Sequence, residues 1–218
     1  MRKFVGAALC VLLMVLCMAA VASAHPPRHV RVVSTGQSGG KLLGQWWAQV
    51  LALPANPHPK PLCLRLDGGK VLAPVQTRPK QTIHCKMRVG GSVLVVGDSA
   101  ECSTNESPPF HGDTAVEQRA CAIRELNEDK VTSLTGSVDG APAIEFHRHR
   151  YEVVSPQTHA VFTAAGGQFP VTAGPGTFVG ADHQALVRGL GVGHHTLSGK
   201  EVDNHGTDHV TFKVNVTH

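Results

Sequence analysis

All 14 histidines of this 218-residue chain follow Ala24. Histidine titrates near neutrality and binds borderline metals, so its local patterns come first. His147 and His149 stand two apart in Ile144 to Val154, a stretch whose alternation predicts a strand with Ile144, Phe146, Arg148 and Arg150 on one side. On a strand, residues two apart leave the same face. Such a pair holds Zn²⁺ or Cu²⁺ once a third ligand arrives. His194 and His195 fall in a predicted turn, and His205 and His209 bracket the loop before the last strand. Asp182, Asp203 and Asp208 are the carboxylates available to such sites. The competing reading is a set of exposed strand and loop histidines with no metal, because a two-residue motif closes no site by itself. The expectation is therefore no obligatory cofactor, with Cu or Zn as the alternative.

One histidine adds a different chemistry. If a leader is removed after Ala24, His25 becomes the N-terminal residue. Its α-amine and ring nitrogen then face one Cu²⁺ together, and one further histidine completes the three-nitrogen brace of copper-dependent polysaccharide oxygenases. Against it stands the segment His25-Pro26-Pro27-Arg28-His29, whose paired prolines favour an extended, poorly packed arm. The metalloprotease motif H-E-x-x-H is missing from the chain. Glu145 near His147 is a carboxylate–histidine neighbour of a kind frequent by chance. Trp46 and Trp47 would line a sugar platform only if both faced outward. Adjacent helical residues point about 100° apart, so at least one belongs to the core.

The elements that position these residues begin with an export signal. Arg2 and Lys3 precede an apolar run from Phe4 to Ala22, and Ala22-Ser23-Ala24 supplies small residues where a signal peptidase reads them. The predicted division is a signal peptide over 1–24, an extended arm over 25–38 and one disulfide-bonded, β-rich domain over 39–218. Without Arg2 and Lys3 the formal charge falls from +4 to +2, and no basic block stands out. Nucleic acid is not an expected partner.

Four cysteines follow the leader: Cys63, Cys85, Cys102 and Cys121, at spacings of 22, 17 and 19. An even number in an oxidising compartment implies two disulfides, with three possible pairings. The sequential one, Cys63–Cys85 and Cys102–Cys121, is favoured. A zinc site of all four thiolates is the rival, but no C-x-x-C is present to support it.

Helical periodicity runs from Lys41 to Leu53, and the prolines from Pro54 stop it. A second amphipathic helix follows Thr114, with Glu117 three residues on as a capping box. Strand-like runs cover Cys63 to Leu66, Lys70 to Val75, Thr82 to Val89 and Ser92 to Val96, with Gly68-Gly69 and Gly90-Gly91 read as hairpin turns. Glu101 to Asp113 reads as a polar loop. Strands follow from Val131 onward, including Ala185 to Leu190, and the last has Val210, Phe212, Val214 and Val216 on one face. The total is mainly β: a β-sandwich-like domain with two accessory α-helices.

Several of these stretches resemble a group of uncharacterised secreted bacterial proteins. That group has a Trp-bearing helix ending in P-x-x-x-N-P, an alternating strand before an S-P step, and a terminal G-x-H-T-L…V-T-x-x-V hairpin. The matching segments are Gln45-Trp46-Trp47, Leu53-Pro54-Ala55-Asn56-Pro57, Val138-Asp139-Gly140, Tyr151 to Pro156, Gly193-His194-His195-Thr196-Leu197 and Val210 to Val214. The proline–asparagine segment is two residues shorter here. The resemblance spans most of the chain from about Gly39. It implies architecture, export and a Cys102–Cys121 bridge, and it carries no activity. The functional expectation is a secreted, non-catalytic protein acting through surface binding to an extracellular ligand or protein, with no membrane partner after signal cleavage. The alternative is a histidine-based extracellular metal-binding protein, and behind it a copper oxidoreductase built on His25.

Overall fold

A computed structural model describes residues 30–54, 62–76, 81–128, 130–163 and 171–218. Residues 1–29, which include the predicted signal and His25, lie outside the described residues. The chain is mainly β, with two sheets and two helices, as the periodicities predict. The first sheet contains β1 (Arg31–Ser34), β2 (Leu62–Leu66), β3 (Val71–Val75), β5 (Ser92–Ser103), β8 (Glu152–Val154), β9 (Thr158–Phe162) and β10 (Gly174–Arg188). The second contains β4 (Thr82–Arg88), β6 (Ser133–Val138), β7 (Ile144–Glu145), β11 (Gly193–Val202) and β12 (Thr207–Thr217), in the order β4-β12-β11-β6-β7. The helices are α1 (Gly39–Leu51) and α2 (Ala115–Glu128).

β10 is the spine of the first sheet. One edge pairs with β5 from Phe178↔Ser103 to Val187↔Val93. The other edge carries three short strands in succession: β9, β8 and β1. The β5–β10 register jumps between Asp182↔Ser99 and Gln184↔Val96, so Gly97 and Asp98 together oppose His183. Such a bulge kinks the ladder and re-aims side chains.

The sheets face one another across a core of Leu72, Val93, Val187 and Leu190 against Ile83, Met87, Leu197, Phe212, Val214 and Val216. α1 covers the opposite face of the first sheet, packing Leu42, Leu43, Trp46 and Trp47 on Leu66, Val71, Leu94, Phe178 and Leu186. Both tryptophans are buried, so they are core and not a sugar platform. Trp47 donates from Nε1 to Ser99 Oγ at 3.0 Å. A Cβ at Gly180 would stand 2.6 Å from Trp47 Cδ1, so the helix approaches this close only over bare backbone. α2 packs Cys121, Ala122 and Leu126 on Cys102 and Ala181. Its capping box forms as expected: Glu117 N–H donates to Thr114 Oγ1 at 3.3 Å and Thr114 N–H to Glu117 Oε2 at 3.0 Å.

Three expectations change. Gly90-Gly91 is not a hairpin turn: it carries the chain from β4 in one sheet to β5 in the other, where β5 pairs in parallel with β3. β5 continues through Ser103, into the stretch read as a polar loop, because its polar residues there are buried against β10 and α2. The expected strand from Ile144 to Val154 is interrupted. β7 ends at Glu145 and a 3₁₀ turn over His149–Tyr151 leads into β8, so His147 and His149 are not strand neighbours.

The two disulfides pair as favoured. Cys63–Cys85 joins β2 to β4 across the two sheets, and Cys102–Cys121 joins β5 to α2. Among the described residues no helix is long and apolar enough to cross a membrane. Replacing Cys63 and Cys85 together by serine should cost about 3 kcal/mol, the value for releasing a loop of this length. Urea unfolding of the oxidised protein and the double variant checks this, and a loss near zero would show that the packed sheets need no staple.

Candidate functional site

Two polar regions stand out, on different parts of the fold. The first is a cleft of about 1080 Å³ at one end of the sandwich. Its lining draws Lys41 from α1, Arg65 from β2, Lys70 from the β2–β3 turn, Lys86 and Arg88 from β4, and Arg188 from the end of β10. These six cations face a single lining carboxylate, Asp67. All six are exposed. The Arg65 guanidinium donates to the Lys86 carbonyl, which anchors one of them. Gly68, Gly69 and Gly90, with φ of 65°, 89° and 89°, turn the rim with no side chain in the opening. Buried Leu72 and Met87 contribute to the apolar wall. Arg31 lies directly across from Arg188 on β1 and β10, and neither forms an ion pair among the described residues. Like charges opposed on neighbouring strands are unfavourable, so the fold carries this repulsion without internal relief.

The cleft continues onto the outer face of the second sheet. β4 alternates, with Ile83, Cys85 and Met87 inward and His84, Lys86 and Arg88 outward. Register places Lys213 beside His84 and Thr196, and Asn215 beside Lys86 and His194. A cavity of about 540 Å³ lies along these residues. The outward positions of β4, β12 and β11 contain lysine, arginine, histidine, serine, threonine and asparagine, and no carboxylate.

The second region surrounds the bulge. Asp182 is fully buried and His183 nearly so. Burial, then the neighbouring Asp98, pushes the Asp182 carboxyl well above the usual range, against the N–H groups of Gly97 and His183. Burial, then His147, holds the His183 ring below the usual histidine range, against the pull of Glu152 and Glu145. A similar environment lies under α2. Glu101 is buried beside Glu106, and burial first, then its neighbour, raises its carboxyl well above normal. Glu106 is also raised by burial, although bonds from Glu101 and Ser103 oppose the shift.

The predicted ligands disperse. His147 and His149 do not converge: His147 lies against His183, ring centres 4.7 Å apart, while His149 is exposed and contacts Glu152 Oε2 through Nδ1 at 2.6 Å. His195 uses both ring nitrogens locally, with Asp139 Oδ2 at 2.7 Å and the Gly191 carbonyl at 2.9 Å. His194 is exposed on the outer face of β11. Asp203 accepts the N–H groups of His205 and Gly206 and so builds a turn. Glu145 accepts N–H bonds from His147 and Leu134 and the Ser133 hydroxyl. Partial burial raises its carboxyl, but these bonds outweigh that and hold it low. Among the described residues no three His, Cys, Asp or Glu side chains are already grouped to hold an ion. His25 lies outside the described residues. Sequence reasoning passed over His183, Glu152 and Asp98. The signal was Asp182-His183-Gln184, three polar residues inside an otherwise apolar strand.

No protein-family model matches this chain, and no curated protein matches it either. A solution structure of amebosin matches 67% of this chain and 96% of its own at 11% identity, with a TM-score of 0.24. That likeness is too slight to support an argument about fold or function.

The raised carboxyls fix a sign for pH. In the folded chain Glu101 keeps its proton above the pH at which an unfolded carboxyl releases it. Its favourable contribution is therefore present below about pH 4.3 and fades as pH rises through the folded value. Glu101→Gln supplies a permanent donor to Glu106. The variant should match the parent near pH 4 and melt higher than it at pH 8, in thermal unfolding followed by circular dichroism. A difference that does not widen with pH would show that Glu101 is ionised in the fold.

Proposed function

We propose that this is a secreted, non-catalytic binding protein whose ligand is an extracellular polyanion. One observation carries the reading: six cations from five different parts of the fold line one cleft with a single carboxylate. The adjoining outer face of β4, β12 and β11 extends the same sign of charge over a flat surface. Clefts of one sign with low-dielectric walls focus their field and concentrate counter-ions. A polymer bearing sulfate, phosphate or carboxylate groups suits both the cleft and the face, since it can occupy them together. Export is supported by the leader's composition and by the two disulfides, which persist in oxidising compartments.

Heparin serves as the probe. The protein should bind it with an affinity that falls steeply with salt, because a charge-driven contact releases counter-ions. Reversing Lys86→Glu and Arg88→Glu together should weaken binding roughly tenfold or more, about 1.4 kcal/mol for each factor of ten. Reversing Arg119→Glu, on the exposed side of α2, should leave it unchanged. Absence of binding, or equal losses from both charge reversals, would overturn the assignment.

A further inference from the structure

Glu152 and His183 are directly opposed on antiparallel β8 and β10, so their side chains leave one face. Glu152 Oε1 stands 3.7 Å from His183 Nε2, beyond hydrogen-bond distance. Two donors that each lie about 2.1 Å from one tetrahedral ion stand about 3.4 Å apart. The observed gap is close to the span of a shared ion. The His147 ring lies beside them, its centre 4.7 Å from that of His183 and its plane tilted by 58°. Two imidazoles on one tetrahedral ion have centres about 5 Å apart.

Each of the two opposed donors has a partner behind it. The other Glu152 oxygen contacts His149 Nδ1 at 2.6 Å. The far nitrogen of His183, Nδ1, is buried without a hydrogen-bond partner among the described residues and lies 4.0 Å from Asp98 Oδ2. A carboxylate behind a ligating imidazole, and a hydrogen bond behind a ligating carboxylate, are the outer contacts that orient metal ligands. The β5 bulge places Asp98 in that position, opposite His183.

We propose that His147, Glu152 and His183 bind one Zn²⁺, with His149 and Asp98 as positioning residues. The ion completes the site: the half-buried His147 turns its ring toward Glu152 and His183 as it binds. This site is separate from the cationic cleft and does not depend on it.

The test is calorimetric titration of the full, untagged secreted protein, stripped with chelator, with Zn²⁺ alone. One ion per chain should bind at micromolar affinity or tighter, and the ion should raise the melting temperature. His147→Ala and Glu152→Gln should each weaken binding roughly tenfold or more. Both sites are partly exposed, so the variants should fold, and their own melts without metal check this. His183→Ala removes a buried ring, so it is not relied on. The double variant His194→Ala/His195→Ala should bind as the parent does. Absence of saturable binding, affinity unchanged in both His147→Ala and Glu152→Gln, or affinity carried by His25 or by His194 and His195, would each overturn the proposal.

Discussion

The long antiparallel pairing of β5 with β10 is the constraint on which the other parts depend. It gives α1 one face to cover and gives the second sheet and α2 portions of the other. Each element is held to this pair by a different physical device. α1 docks by close approach over Gly180, α2 by the Cys102–Cys121 bridge, and the second sheet by an apolar core reinforced by Cys63–Cys85. The bulge at Gly97-Asp98 interrupts the pairing once, and Asp98, Asp182 and His183 are buried there. The ladder holds buried Asp98, Asp182 and His183 because the neighbouring strands over-determine its path.

This arrangement divides the molecule by charge. The first sheet is covered over much of both faces, so Asp98, Glu101, Asp182 and His183 are interior, while Arg31, Arg65 and Arg188 emerge at its end. The second sheet has one free face, and that face together with the adjoining cleft is cationic. The net charge of the chain is small, so the asymmetry comes from placement and not from composition. Opposed Arg31 and Arg188 show that the fold tolerates internal repulsion at this location. Tolerated repulsion without an internal counter-charge is the physical mark of a surface whose counter-ions come from outside.

Much of the architecture was legible in the sequence because it rests on local signals. The Thr114–Glu117 box fixes the start of α2, the Trp-bearing period fixes α1, and the strict alternation of Phe212, Val214 and Val216 fixes β12. The sequential disulfide pairing was favoured among three possible ones, with the resemblance supporting Cys102–Cys121. The polar halves of β5 and β10 were not legible: the strand reading stopped at Val96, Glu101 onward read as a polar loop, and the strand given from Ala185 in fact begins at Gly174. The cleft was invisible for another reason: Lys41, Arg65, Lys86 and Arg188 are far apart in sequence, and only the crossing of sheets at Gly90-Gly91 brings their strands to one end. His147 and His149 read as strand neighbours because the alternation over Ile144 to Val154 hid a 3₁₀ turn.

The central claim is that an anionic polymer lies in the cleft and along the outer face of β4, β12 and β11. Amide hydrogen exchange with and without a heparin-derived oligosaccharide tests it most directly, because it maps the contact on the unaltered protein. The account predicts added protection confined to the turns at Gly68-Gly69 and Gly90-Gly91 and to the solvent-facing residues of β4 and β12. Protection confined to α1 or α2, or a pattern unchanged by saturating oligosaccharide, would contradict it.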